Sequence, residues 1–108
     1  MKISIIIPTY NEAKNIQPLV EEILSVLDKE KIDLEFIFVD DNSPDGTGDI
    51  IEKLAKIYPI KVIHRSGKLG LGSAVIEGFK LSNREILGVM DADLSHDPKI
   101  INQMAYAL

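Results

Sequence analysis

Four short apolar runs rich in β-branched residues recur along the chain: Ile3–Ile7, Leu34–Val39, Ile60–His64 and Ile86–Met90. None alternates cleanly with polar residues, the pattern of strands covered on both faces in a parallel sheet. Helical spacing fills the intervals. Ile16, Leu19, Val20, Ile23, Leu24 and Leu27 advance by alternate steps of three and one, which lays one continuous apolar stripe along a helix. Asn15 is positioned to cap that helix, and Pro18 falls in its first turn, where a missing N–H does little harm. Thr47–Ile57 predicts a second helix with Ile50, Ile51, Leu54, Ala55 and Tyr58 inward, stopped by Pro59. Leu71–Leu81 predicts a third despite Gly72 and Gly78. A fourth opens near Asp97–Pro98, with Asp97 as its cap and Ile100, Ile101, Met104 and Leu108 on one face. The order β-α-β-α-β-α-β-α predicts an α/β fold, a mostly parallel sheet with right-handed crossovers and flanking helices.

Composition narrows what such a fold does. At 108 residues the chain is at most one domain, 1–108, and long enough to bury a core without a disulfide or metal staple. The absence of Cys removes disulfide frameworks, Cys-based zinc sites and thiol catalysis together. A formal charge of −5 and a pI near 4.9 argue against a nucleic-acid partner, which favours clustered Lys and Arg. The unbroken apolar runs fall far short of the ~18 residues of a membrane span. Pro8 also ends the first run too early for a secretory signal. A cytoplasmic location is the expectation.

In an open α/β sheet, ligands bind beyond the carboxyl ends of the strands. Here those ends lead into Pro8-Thr9-Tyr10-Asn11-Glu12, Asp40-Asp41-Asn42-Ser43-Pro44-Asp45-Gly46, Arg65-Ser66-Gly67-Lys68-Leu69-Gly70 and Asp91-Ala92-Asp93-Leu94-Ser95-His96. Acidic residues are thus gathered at one edge. Asp91 and Asp93, two positions apart past an apolar strand, have the oxygen donors that a hard divalent cation such as Mg²⁺ takes. A carboxylate at Asp41 suits a nucleobase edge or a ribose hydroxyl, whereas Asp45 and Gly46 have the chemistry of a turn leading into a helix. Tyr10 offers a flat face to a base, and Lys68 with the neighbouring backbone N–H groups suits an anion. His64 reads as structural, and His96 as a metal or phosphate candidate. Gly70-Leu71-Gly72 lacks the third glycine of a dinucleotide fingerprint, because Val75 occupies its place. Gly67-Lys68 is followed by Leu69, where a P-loop needs Ser or Thr. Asp41–Glu52 imitates an EF-hand loop, but a strand leads into it where a helix is required.

Taken together, IPTYNE, VDDNSPDGT, KLGLG and MDADLSHDP, each placed at a strand end and in this order, resemble the inverting family 2 glycosyltransferases of GT-A fold. The second and fourth motifs are most similar to the branch that mannosylates dolichyl phosphate. The resemblance implies a Rossmann-like nucleotide-diphospho-sugar transferase fold. Pro8, Tyr10 and Glu12 would line the nucleotide pocket, and Val39 and Asp41 would contact the base and ribose. Asp91, Ala92 and Asp93 would form the DxD segment, holding Mg²⁺ or Mn²⁺ against the donor diphosphate. Asp93 is assigned to the metal, and Asp91 either to the metal or to the sugar and ribose. Ser95 stands where some relatives carry Gln, so no metal contact is assigned to it.

The implied reaction is transfer of mannose from GDP-mannose to dolichyl (polyprenyl) phosphate, at the cytoplasmic face of a membrane. The family's catalytic domain runs well past this length, so residues 1–108 resemble its N-terminal, nucleotide-binding half, with the acceptor-side half absent. An edge at the fourth strand is then expected to be covered by that half or by a second copy. Three rival readings differ in class. Another family 2 transferase would share the donor half, and a non-catalytic nucleotide-sugar-binding module would share the pocket alone. A phosphoacceptor receiver domain needs its acidic pair after the first strand and a late Lys after a fifth.

Overall fold

The computed structural model of the chain describes residues 2–67, 70–82, 86–90 and 92. Strands and helices alternate throughout: β1 (Lys2–Thr9), α1 (Ile16–Val26), β2 (Asp33–Asp40), α2 (Thr47–Ala55), β3 (Ile60–His64), α3 (Leu71–Leu81) and β4 (Ile86–Val89). The predicted fourth helix lies outside the described residues. Among the described residues every pairing is parallel, and the strands lie in the order β3-β2-β1-β4. The chain therefore steps from β1 to β2 to β3, then crosses back through α3 to set β4 on the far side of β1. That reversal creates a switch point between β1 and β4, with a crevice beyond their carboxyl ends. Among the described residues β4 is an edge strand, and its Val89 is exposed.

The sheet is covered on both faces, which is why its strands do not alternate. On one face Ile3, Ile5 and Ile7 of β1 and Leu34, Phe36 and Phe38 of β2 pack against Ile16, Leu19, Val20 and Ile23 of α1 and Ile51 and Leu54 of α2. Phe36 and Phe38 stand two residues apart on this face and stack with ring centroids 6.1 Å apart. The other face is thinner: Ile6, Ile37 and Val39 meet Ala74 of α3. A Cβ on Gly78 would stand 2.7 Å from Ile6 Cγ2, so the glycine in mid-helix lets α3 lie close against β1. Ser4 and Glu35 interrupt this face, but the Ser4 hydroxyl donates to Glu35 Oε1 at 3.1 Å and Lys61 Nζ lies 3.6 Å from Oε2. No buried side-chain polar atom is left unsatisfied among the described residues.

Two local expectations change. Asn15 precedes α1 but lies in the right-handed helical region and does not cap it; its amide donates instead to Glu12 Oε2 at 2.8 Å. Helix α2 stops at Ala55, short of Ile57, because Ile57 and Tyr58 N–H both turn back to Leu54 O ahead of Pro59. Ile57 is left 74% exposed, while Tyr58 still packs on the core.

Candidate functional site

The strand ends are tied together by Asp40. Its Oδ1 accepts from Thr9 Oγ1 at 2.8 Å and from Ser43 Oγ at 2.6 Å, and its Oδ2 accepts from Ser43 N at 3.1 Å. Backbone bonds from Asp41 N to Thr9 O and from Arg65 N to Asp40 O extend the same knot across β1, β2 and β3. Asn11 and Asn42, one after each of the first two strands, both take φ of +56°, a left-handed conformation that Asn tolerates better than most residues. The first loop is then fastened to the second: Asn11 N donates to Ser43 Oγ, Glu12 N to Thr47 Oγ1, and Ala13 N to Asp45 Oδ2. Asp45 also accepts from Thr47 N and from the Thr47 hydroxyl at the start of α2. These bonds, the Thr47 hydroxyl foremost, hold the Asp45 carboxyl below its ordinary pKa.

Above this frame lies a pocket of about 210 Å³ lined by Pro8, Thr9, Tyr10, Glu12, Asp41, Gly70 and Ala74. It draws on the ends of β1 and β2 and on the start of α3. Asp41 is its buried charge, and that charge is matched. Arg65 Nε lies 2.5 Å from Asp41 Oδ1 and Nη2 lies 2.9 Å from Oδ2, a bidentate pair with the guanidinium buried. Asp41, through this bond, raises the guanidinium's pKa above its usual value. The rest of the Arg65 fork reaches α3: Nη1 donates to Ser73 Oγ at 2.7 Å and Nη2 to Gly70 O at 2.9 Å.

Four of the predicted nucleotide residues, Pro8, Tyr10, Glu12 and Asp41, therefore line one pocket. Val39 does not join them: it is fully buried under α3 beside Ile6, Ile37 and Ala74. Ala92 is buried and packs in the core beside Met90, whose N–H donates to Ile6 O of β1. Its neighbours Asp91 and Asp93, together with Lys68, Ser95 and His96, lie outside the described residues. Among the described residues no group of three or more His, Cys, Asp or Glu side chains could hold a metal. His64 bonds Glu52 Oε1 at 2.6 Å on a half-exposed surface, a pairing in keeping with its structural reading.

Residues 4–108 match the family described as glycosyl transferase family 2. The chain belongs to glycosyltransferase family 2. It is 44% identical over 108 residues to a dolichol-phosphate mannosyltransferase of Pyrococcus furiosus, covering all of this chain and 30% of that protein. Among solved structures, a mannosyltransferase from Pyrobaculum calidifontis in complex with GDP-Man and Mn²⁺ superimposes with a TM-score of 0.78 at 25% identity, over 96% of this chain and 31% of that one. S. aureus TarS 1-349 in complex with UDP-GlcNAc does so with a TM-score of 0.76 at 28% identity, over 98% of this chain and 30% of that one. The chain thus spans under a third of the length of each of these relatives.

Within this family 2 chain, the residue that sequence reasoning missed is Arg65. A signal for it was present. Asp40 pairs with His64 in the β2–β3 register, so Asp41 and Arg65 are the next residues out on adjacent strands. Opposite charges one step beyond two paired strand ends are well placed to meet. Thr9, Gly70 and Ala74 also line the pocket without having been singled out, because small or short side chains carry little chemical signal.

Proposed function

We propose that the chain is the nucleotide-sugar-binding part of a glycosyltransferase that moves mannose from GDP-mannose to dolichyl phosphate with inversion at the anomeric carbon. The pocket at the strand ends carries this reading, because Tyr10, Glu12 and a buried, charge-matched Asp41 converge there. A carboxylate accepts hydrogen bonds and cannot donate them when ionised, so Asp41 suits the donor edge of guanine, N1–H with the exocyclic amine. Tyr10 supplies a face on which a base can stack. Support for mannose and for the lipid acceptor comes from the named mannosyltransferase relatives.

Asp91 and Asp93 would hold a divalent cation, Mg²⁺ or Mn²⁺. The donor chemistry suits such an ion: two carboxylates on either side of Ala92 in the sequence would offer hard oxygen ligands. The chemistry such a cation supplies when bound is neutralisation of charge on the departing diphosphate. The chain's own residues bind and orient the nucleotide. A phosphate acceptor is largely ionised near neutral pH, so no residue is assigned as general base. No helix among the described residues is long and apolar enough to cross a membrane. A lipid-borne phosphate acceptor would be met at the cytoplasmic face of a membrane.

Calorimetric titration of the chain with GDP-mannose, with and without Mn²⁺, tests this. Binding should tighten with Mn²⁺, and Asp93→Ala should abolish that increment while retaining most of the metal-free affinity. Affinity indifferent to Mn²⁺ would overturn the metal assignment. The TarS complex favours a second reading, a different nucleotide-sugar donor on the same fold. Tighter binding of UDP-GlcNAc than of GDP-mannose would establish it.

A further inference from the structure

Asp41 is not alone in the pocket wall. Its carboxylate has one lone pair on each oxygen engaged by the same guanidinium, Arg65 Nε on Oδ1 and Nη2 on Oδ2. A carboxylate gripped at two points cannot rotate about its terminal bond, so the lone pairs left to the pocket have fixed directions. The guanidinium is in turn immobilised. Its side chain is 2% exposed, and its remaining donors reach Ser73 Oγ and Gly70 O, with Glu77 Oε1 3.7 Å from Nη1. Gly70 begins α3 at a φ of +100° and is itself a wall of the pocket. One guanidinium thus joins the end of β2, the end of β3 and the first turn of α3 around a single cavity.

We propose that Arg65 is a positioning residue for base selection: by fixing Asp41 as an acceptor of set direction, it determines how strongly the pocket prefers guanine to cytosine. The inference rests on the nucleotide reading above. Guanine turns N1–H and an amine toward such an acceptor. Cytosine places the N3 acceptor at the corresponding point, where a fixed carboxylate repels it. A carboxylate free to swing would meet the cytosine amine and avoid N3, and the preference would fall. Lysine at position 65 keeps the positive charge but is a point donor without the planar fork, so it restores the charge and not the direction.

The test measures dissociation constants of GDP and CDP, with Mn²⁺ present, for the wild-type chain, Arg65→Lys, Asp41→Asn and the double variant, with thermal melting alongside. Arg65→Lys should reduce the GDP-over-CDP ratio by about tenfold, the scale of one hydrogen bond to a charged acceptor. In the Asp41→Asn background the same substitution should leave the ratio nearly unchanged, because Arg65 acts through Asp41. A merely structural role lowers both affinities in proportion and leaves the ratio alone; that result, or an Arg65 effect that persists without Asp41, overturns the inference. Arg65→Met is expected to destabilise the fold by stranding a buried carboxylate, which is why the lysine variant carries the test. A wild-type chain that binds GDP and CDP equally overturns the guanine reading itself, and the inference with it.

Discussion

Replacing Gly78 with Ala probes the contact that sets the distance between α3 and the sheet. The new methyl carbon would stand 2.7 Å from Ile6 Cγ2, 2.9 Å from Cγ1 and 3.1 Å from Cδ1. Ile6 is fully buried with Ile37, Val39 and Ala74 around it, and its β-branched side chain has few rotamers to escape into. Forcing an extra methyl into a packed layer costs about 1–3 kcal/mol. Against this, Ala gains ~1 kcal/mol over Gly in a helix interior. With a stiff and enclosed neighbour the upper part of the cost applies, leaving a net loss of about 1–2 kcal/mol. For a domain of this size that lowers the melting temperature by roughly 5–10 °C. Gly72→Ala is the control, since a Cβ there meets nothing within 4 Å and only the helix gain remains. Thermal unfolding followed by circular dichroism at one protein concentration separates the two. Gly78→Ala melting at or above wild type would show that α3 does not press on β1 as described.

Two further substitutions address the loops. Asp45→Ala removes the acceptor for Thr47 and Ala13 and should cost about 1–2 kcal/mol, the range of a lost helix cap. Because the folded Asp45 carboxyl titrates below its unfolded value of ~3.9, its contribution is present above that pH and is lost as pH falls through the folded value. The urea-unfolding gap between wild type and Asp45→Ala should therefore be full above about pH 5 and close below about pH 4; a gap that widens in acid would refute the assignment. Tyr10→Ala should weaken GDP binding by about 1–3 kcal/mol, the scale of one base–aromatic stack, with melting little changed. Unaltered GDP affinity in that variant would remove Tyr10 from the site.

The sequence disclosed most of the scaffold because the physics that builds it is local and periodic. Apolar runs at β1 and β2 that do not alternate with polar residues marked strands with two covered faces, and the stripe from Ile16 to Leu27 marked a helix resting on one of them. Gly78 looked like a weakness of α3; it is the point where α3 approaches Ile6, a contact set by tertiary packing that helix propensity does not encode. At the strand ends the type of residue was legible and the partnership was not. Asp40 and Asp41 are adjacent and alike in sequence, yet one knots Thr9 to Ser43 while the other faces the pocket with Arg65 behind it. Strand alternation separates them, and the strand order decides which neighbour each one meets. Val39, two residues before Asp41, lies on the same α3 side of the sheet but deeper, packed against Ile6, Ile37 and Ala74.

The proposed occupant of the pocket bounded by Tyr10, Glu12 and Asp41 in this family 2 chain is a guanine nucleotide. Its most direct test is a calorimetric comparison of GDP, UDP and CDP on the same protein, each with Mn²⁺. GDP should bind tightest, with Asp41→Asn eroding its advantage over CDP. UDP binding more tightly than GDP, or three equal affinities, would contradict the claim.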